Sequence, residues 1–186
     1  MRKINKTGVL WIFAVIGFIV TLYMVEASPF GSAAVAVHNE GYGTFDMKKY
    51  DYASVTDVLA NMDSEGIRVY QKYYFADFLF IICFGLIQCM ISSAVYKKNK
   101  LIYRRIAIGV PIARGIFDVI ENVLLFITIT NYPKVSNGLI MIASISTQCK
   151  LWCIRIWVVM LLIGIVYNIC KKKVKSSCAS QGLLLE

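Results

Sequence analysis

"RGIFDVIENVLL", Arg114 to Leu125, lies in an apolar run long enough to cross a bilayer, yet it carries an arginine, an aspartate, a glutamate and an asparagine within nine residues. Each charge near the centre of a membrane costs about 2.5 to 3.5 kcal/mol on insertion scales, so these side chains must face partners rather than lipid. On a helix Arg114, Asp118, Glu121 and Asn122 share one stripe, because residues three and four apart are neighbours. The stretch therefore predicts a helix with one polar face, packed inside a bundle of other spans.

The rest of the chain agrees. Of 186 residues 58% are hydrophobic and only 17% charged, and the mean hydropathy is +0.64, values outside the soluble globular range. Four runs reach the roughly 20 residues that a crossing needs, predicting spans over about 7–26, 73–96, 106–130 and 138–168, with an outer loop over 27–72. The fold class expected is all-α: a polytopic, four-transmembrane-helix bundle with an outer amphipathic helix and loop as a cap. Residues 1–175 form a single membrane domain in this reading, and 176–186 a cytoplasmic tail.

Net charge is +9, but the bases stand at "MRKINK", "KKNKLIYRR" and "KKKVK", beside apolar runs. Such placement argues topology and anionic lipid, not nucleic acid. Both termini and the 97–105 connection are expected in the cytoplasm of a cell with a bacterial inner membrane, multi-pass. The first run also resembles a signal peptide with Ala27 near a cleavage point, but it is longer than an ordinary signal core and is expected to remain as a span. The sequon at Asn5 falls on the cytoplasmic side, and "QGLLLE" has the look of an added tail.

In the outer segment Ser54 with Asp57 suggests an N-cap, followed by Val55, Val58, Leu59 and Met62 at helical spacing, with a stop near Gly66. Helix then runs into the second span, placing Tyr70, Tyr73 and Tyr74 at the depth of an aromatic belt. The six cysteines all lie in or cytoplasmic to the spans, so buried free thiols are expected rather than disulfides. One histidine, His38, and no C-x-x-C leave no metal site expected, and no cofactor.

Six ionisable residues fall within the predicted spans: Asp77, Arg114, Asp118, Glu121, Lys150 and Arg155. They sum to zero. At about 1.5 Å per residue their heights match in pairs: Arg114 with Asp118, Arg155 with Glu121 or Asp118, and Lys150 with Asp77. Ser146, Thr147 and Lys150 form a facing stripe on the fourth span, and Ser144 and Gln148 add hydrogen-bonding capacity near it.

Asp77, the D-x-x-E-N of "DVIEN" and the Lys of "SISTQCK", with an outer "G-x-R-x-x-Y", resemble a pattern in uncharacterised small bacterial four-span membrane proteins, over roughly residues 44–155. The resemblance implies that Asp77, Asp118, Glu121, Asn122 and Lys150 belong together, and implies no activity.

Three functions stay open. The first is binding of a small polar or amphiphilic ligand, such as a lipid headgroup, in an outward-facing polar pocket formed by Asp77, Asp118, Glu121, Asn122, Thr147, Gln148 and Lys150, with Arg114 and Arg155 as supporting ion pairs. The second is an intramembrane lipid-modifying enzyme using Asp118 or Glu121, although no residue is assignable as catalytic. The third is a scaffold or accessory subunit whose ion pairs only fix packing. Membrane lipid is the expected partner, and a pore would require oligomerisation.

Overall fold

A computed structural model of the protein describes the backbone of residues 6–182 and the side chains of residues 7–172. Arg2, Lys3, the Asn5 sequon, the side chains of Lys6 and Cys178, and the last residues of "QGLLLE" lie outside the described set. The described chain is helical without strands: α1 (Lys6–Ala27), α2 (Ser32–Val37), α3 (Tyr52–Ala60), α4 (Ser64–Val95), α5 (Leu101–Asn131) and α6 (Asn137–Gly182). Helices α1, α4 and α6 are long and apolar enough to cross a membrane. Helix α5, with 31 residues against 32, is nearly as long as α4, but Arg114, Asp118 and Glu121 put three charges into its apolar stretch. α6 runs on through Gly182, well past the predicted end at 168.

The long helices pack in chain order, α1 on α4, α4 on α5 and α5 on α6, and α4 also touches α6. Short turns join α4 to α5 and α5 to α6, so these neighbours run antiparallel. Two close approaches fix α4 against α6. A Cβ at Gly164 would lie 2.7 Å from Val95 Cγ1, and beside it the Tyr96 hydroxyl donates to the Met160 carbonyl at 2.6 Å. Both act at the C-terminal end of α4.

The segment between α1 and α4 is folded, not irregular. Ser28 closes α1 by donating to the Met24 carbonyl at 2.6 Å. Asn39 then brackets a tight loop, donating to the Gly43 carbonyl at 2.7 Å and accepting from the Gly43 amide at 2.9 Å. Gly41 and Gly43 take φ of 84° and 78° there, a region glycine enters without steric cost. The loop delivers Phe45 into an aromatic layer with Tyr42, Tyr50 and Tyr70, where it is fully buried and contributes about 1.5 to 3 kcal/mol by burial alone.

Asp51, not Ser54, caps α3: its carboxylate accepts from the Ser54 amide at 2.9 Å and from the Ser54 hydroxyl. Those bonds, the hydroxyl first, hold the Asp51 carboxyl below its usual range. Val55, Val58 and Leu59 bury as the spacing predicts. Gly66 does not stop a helix but stands in the first turn of α4, whose cap is Asp63, accepting from the Gly66 amide at 2.7 Å. An extended α4 follows from this: at about 1.5 Å per residue its 32 residues reach about 48 Å, beyond the roughly 30 Å of a hydrocarbon core.

Tyr70, Tyr73 and Tyr74 are buried in the aromatic layer rather than displayed in a belt, because the 28–63 segment covers them. The apolar core sits in this layer with Val25, Val35, Leu125 and Ile140. Large apolar side chains are left exposed along the helix flanks: Phe13 is 69% exposed, Ile116 56% and Ile163 61%. His38 pairs with Asp63 at 3.1 Å. Among the described cysteines Cys83, Cys89, Cys149 and Cys153 are half-buried, Cys170 is exposed, and all are free.

Candidate functional site

Below the aromatic layer the facing stripes of α4, α5 and α6 turn polar. Lys150, from α6, is 4% exposed and central. Its ammonium donates to Asp118 Oδ1 at 2.8 Å, lies 2.6 Å from Glu121 Oε2 and 3.5 Å from Asp46 Oδ1. No donor reaches Glu121 Oε2 in hydrogen-bond geometry, so that contact is held by charge. Arg114 completes the row. Its guanidinium meets Asp118 Oδ2 at 2.9 Å one turn along α5, donates to the Ile81 carbonyl at 3.2 Å and lies over the Phe84 ring at 4.6 Å. Asp118 thus bridges the two cations, as its position i+4 from Arg114 allows.

Two of the expected pairings are replaced. Lys150 takes Asp118, Glu121 and Asp46 instead of Asp77, and Asp77 accepts from the Asn122 amide at 2.5 Å. The helical stripe of Asp77 turns it toward α5, where an amide rather than an ammonium stands opposite. Arg155 does not reach Glu121 or Asp118: it is exposed and lies over the Trp152 ring at 5.0 Å. About 1.4 turns beyond Lys150 it points off the polar stripe, and a long cation there keeps its head solvated over an aromatic face.

Asp46 carries no signal in the sequence. It comes from the loop after Gly43, is 7% exposed, and accepts a hydrogen bond from the Tyr73 hydroxyl as well as contacting Lys150. No periodicity marks an acid in a glycine-bounded loop. Gln88 is a second residue that sequence reasoning misses. It is fully buried on α4, and neither atom of its amide finds a protein partner; Asn122 Oδ1 is in the same position.

With Arg155 out and Asp46 in, the expected charge balance fails. Among the described residues Asp46, Asp77, Asp118 and Glu121 are buried with Arg114 and Lys150, four acids to two bases. In a low-dielectric site such an excess of acids attracts further positive charge. The carboxylate oxygens of Asp46, Asp118 and Glu121 lie within 4.8 Å of one another, a spacing a cation would accept, and the Lys150 ammonium lies among them.

A second feature adjoins this cluster. Thr147 has one hydroxyl proton, and Glu121 Oε1 at 2.6 Å is its stronger acceptor. The Tyr50 hydroxyl, 3.0 Å from Thr147 Oγ1, therefore donates to it. Burial first, and then the charge of Glu121, push the Tyr50 phenol far above its ordinary range, so it remains a donor at any physiological pH. Ser144 fixes the backbone of the same residue, donating to the Tyr50 carbonyl at 2.7 Å. The other side of Tyr50 walls a groove of about 370 Å³ against α6. Lys49, Asn137 and Gln148 line it with Met141, Ile145 and Trp152. Of the predicted ligand residues Gln148 therefore lies in the groove, while Asp77, Asp118, Glu121, Asn122, Thr147 and Lys150 are buried together behind it.

The chain matches no family model, no curated protein and no solved structure.

Proposed function

We propose that the protein is a four-span membrane protein that binds a small amphiphile, with a lipid headgroup as the first candidate, in the groove beside Tyr50. In this reading α5 is the fourth span. Its charges are buried and its outward positions Ile112, Ile116, Val123 and Ile127 are exposed and apolar. Both termini and the turn after Tyr96 lie in the cytoplasm of a bacterial cell, by the distribution of bases. The 28–63 segment caps the outer face.

The observation that carries the binding role is the pairing of chemistries in one groove. Lys49, Asn137 and Gln148 offer donors along it, with the Asp51 carboxylate in the same lining, and Met141, Ile145 and Trp152 offer apolar surface for a chain. A few convergent polar groups in an otherwise apolar cleft are what ligand sites present. Tyr50 then links the occupant, through Thr147, to Glu121 and the charged cluster.

A scaffold role is the second reading, favoured by the closure of the cluster, in which one lysine contacts three carboxylates. The two separate in a melting series with and without total bacterial lipid extract. Binding predicts that lipid raises the melting temperature of the parent, and that Met141→Trp, which fills the groove from an exposed position, abolishes the rise without lowering the lipid-free value. A parent indifferent to lipid would support the scaffold. Topology is checked in the same cells: cysteines introduced in a cysteine-free background at Gly43 or Ser136 react with an impermeant reagent, and labelling at Asn99 from outside would overturn the orientation.

A further inference from the structure

The opposite end of the bundle carries a feature that the outer groove does not explain. Two grooves of about 430 Å³ each flank the end of α4. One lies between α4 and α6 and is lined by Val95, Lys98, Asn168, Lys171 and Lys172. The other lies between α1, α4 and α5 and is lined by Leu10, Trp11, Met90, Ser93 and Arg104. Ala94 and Lys97 line both. The two are thus adjacent compartments with one shared cation on the wall between them.

Their linings contain five cations and no acid. In each the bases stand beside apolar surface, so neither is a simple solvated charge patch. The groups are also partly preset. Arg104 spends one N–H on Ser93 Oγ at 2.8 Å, which orients the guanidinium and leaves other donors free. The Lys171 ammonium sits 5.6 Å from the Tyr167 ring, and Asn168 is anchored on the Val95 carbonyl at 2.7 Å. A single phosphate with its chains would satisfy one compartment and leave the other's cations unpaired. A molecule with two phosphates on a short bridge and acyl chains on both sides satisfies both.

We infer that this end of the protein binds one phospholipid with two phosphodiester groups, of the cardiolipin class, with one phosphate in each groove and Lys97 between them. Basic pockets between spans recognise such headgroups through charge, while the walls take the chains. The inference needs the chain to sit in a bilayer and is independent of the outer groove.

The test uses the full-length protein in a nanodisc or detergent with zwitterionic lipid only. Cardiolipin, phosphatidylglycerol at matched phosphate, and pyrophosphate are added separately, and retention by native mass spectrometry and the melting temperature are read. One retained cardiolipin is expected, with a melting rise larger than that from matched phosphatidylglycerol and absent with pyrophosphate. At about five-fold per cation near a membrane surface, Lys97→Gln with Arg104→Gln should weaken retention roughly 30-fold, and Lys171→Gln with Lys172→Gln by a similar factor. Should the first pair fail to purify, Lys98→Gln with Lys172→Gln, both exposed, tests the α6 groove alone. Equal stabilisation by matched phosphatidylglycerol, an equal effect of pyrophosphate, or cardiolipin retention unchanged in the variants would each overturn the inference.

Discussion

Replacing Lys150 by methionine keeps an unbranched side chain of similar length and removes the one charge that touches Asp118, Glu121 and Asp46. Arg114 stays on Asp118, so Glu121 and Asp46 are the carboxylates left without a cation. Stranding one partner of a buried pair costs about 3 to 5 kcal/mol. For a chain of this length each kcal/mol is worth about 2 to 4 °C, so the melting temperature in detergent should fall by about 6 to 20 °C. The double change Lys150→Met with Glu121→Gln should recover part of the loss, with a coupling of about 0.5 to 3 kcal/mol. Lys150→Met with Asp77→Asn should recover less, because Asp77 is bonded to Asn122 instead. A Lys150→Met protein melting within about 2 °C of the parent, or equal recovery by the two double variants, would refute the assignment of Lys150 as the centre of the cluster.

At Gly66 a Cβ would lie 2.5 Å from His38 Cβ, an atom fixed to the backbone. Gly66→Ala should therefore destabilise the protein, since about 1 to 3 kcal/mol of overpacking outweighs a propensity gain of about 1 kcal/mol; a variant melting at or above the parent would show that α2 is free to move. The cap of α3 should respond to pH. The folded Asp51 carboxyl lies below its ordinary value because of Ser54, so its contribution is present above the unfolded pKa of about 3.9 and disappears as pH falls through the folded one. Hydrogen exchange corrected for intrinsic rates should show the Ser54 amide losing protection between pH 6 and pH 3 in the parent but not in Asp51→Asn; identical profiles would remove the carboxylate from the cap.

The helices and the polar stripe of α5 were legible because periodicity reports which face a residue occupies. Asp118, Glu121 and Asn122 were placed on one face of α5, and Lys150 on a facing stripe of α6, on that ground, and Lys150 does meet Asp118 and Glu121. Pairing across helices was less legible. Height along an axis is countable, but the rotation of α4 that turns Asp77 to Asn122 depends on packing, whereas the offset of Arg155 from the Lys150 stripe follows from helical periodicity and was overlooked. Asp46 and Tyr50 were invisible for a different reason: they lie in a segment whose shape comes from Asn39, two positive-φ glycines and an aromatic layer, none of which has a period. The three residues Tyr70, Tyr73 and Tyr74 looked like a belt because composition alone does not reveal that a neighbouring segment covers them.

The contacts between α5 and α6 bear on how the chain could enter a bilayer. Taken alone, α5 would bring three charges into the membrane, at about 7 to 10 kcal/mol on insertion scales, and α6 would bring the ammonium of Lys150. Taken together with the Tyr132–Ser136 turn between them, Arg114 and Lys150 offset Asp118 and Glu121, so the four buried charges that the two helices contribute cancel. On the four-span reading the translocon is therefore offered a unit rather than two helices in sequence, and α5 must wait beside it until the last span has been synthesised. Biogenesis of this chain would then hinge on its final third, since a ribosome stalled before Lys150 leaves a helix that the membrane has reason to reject.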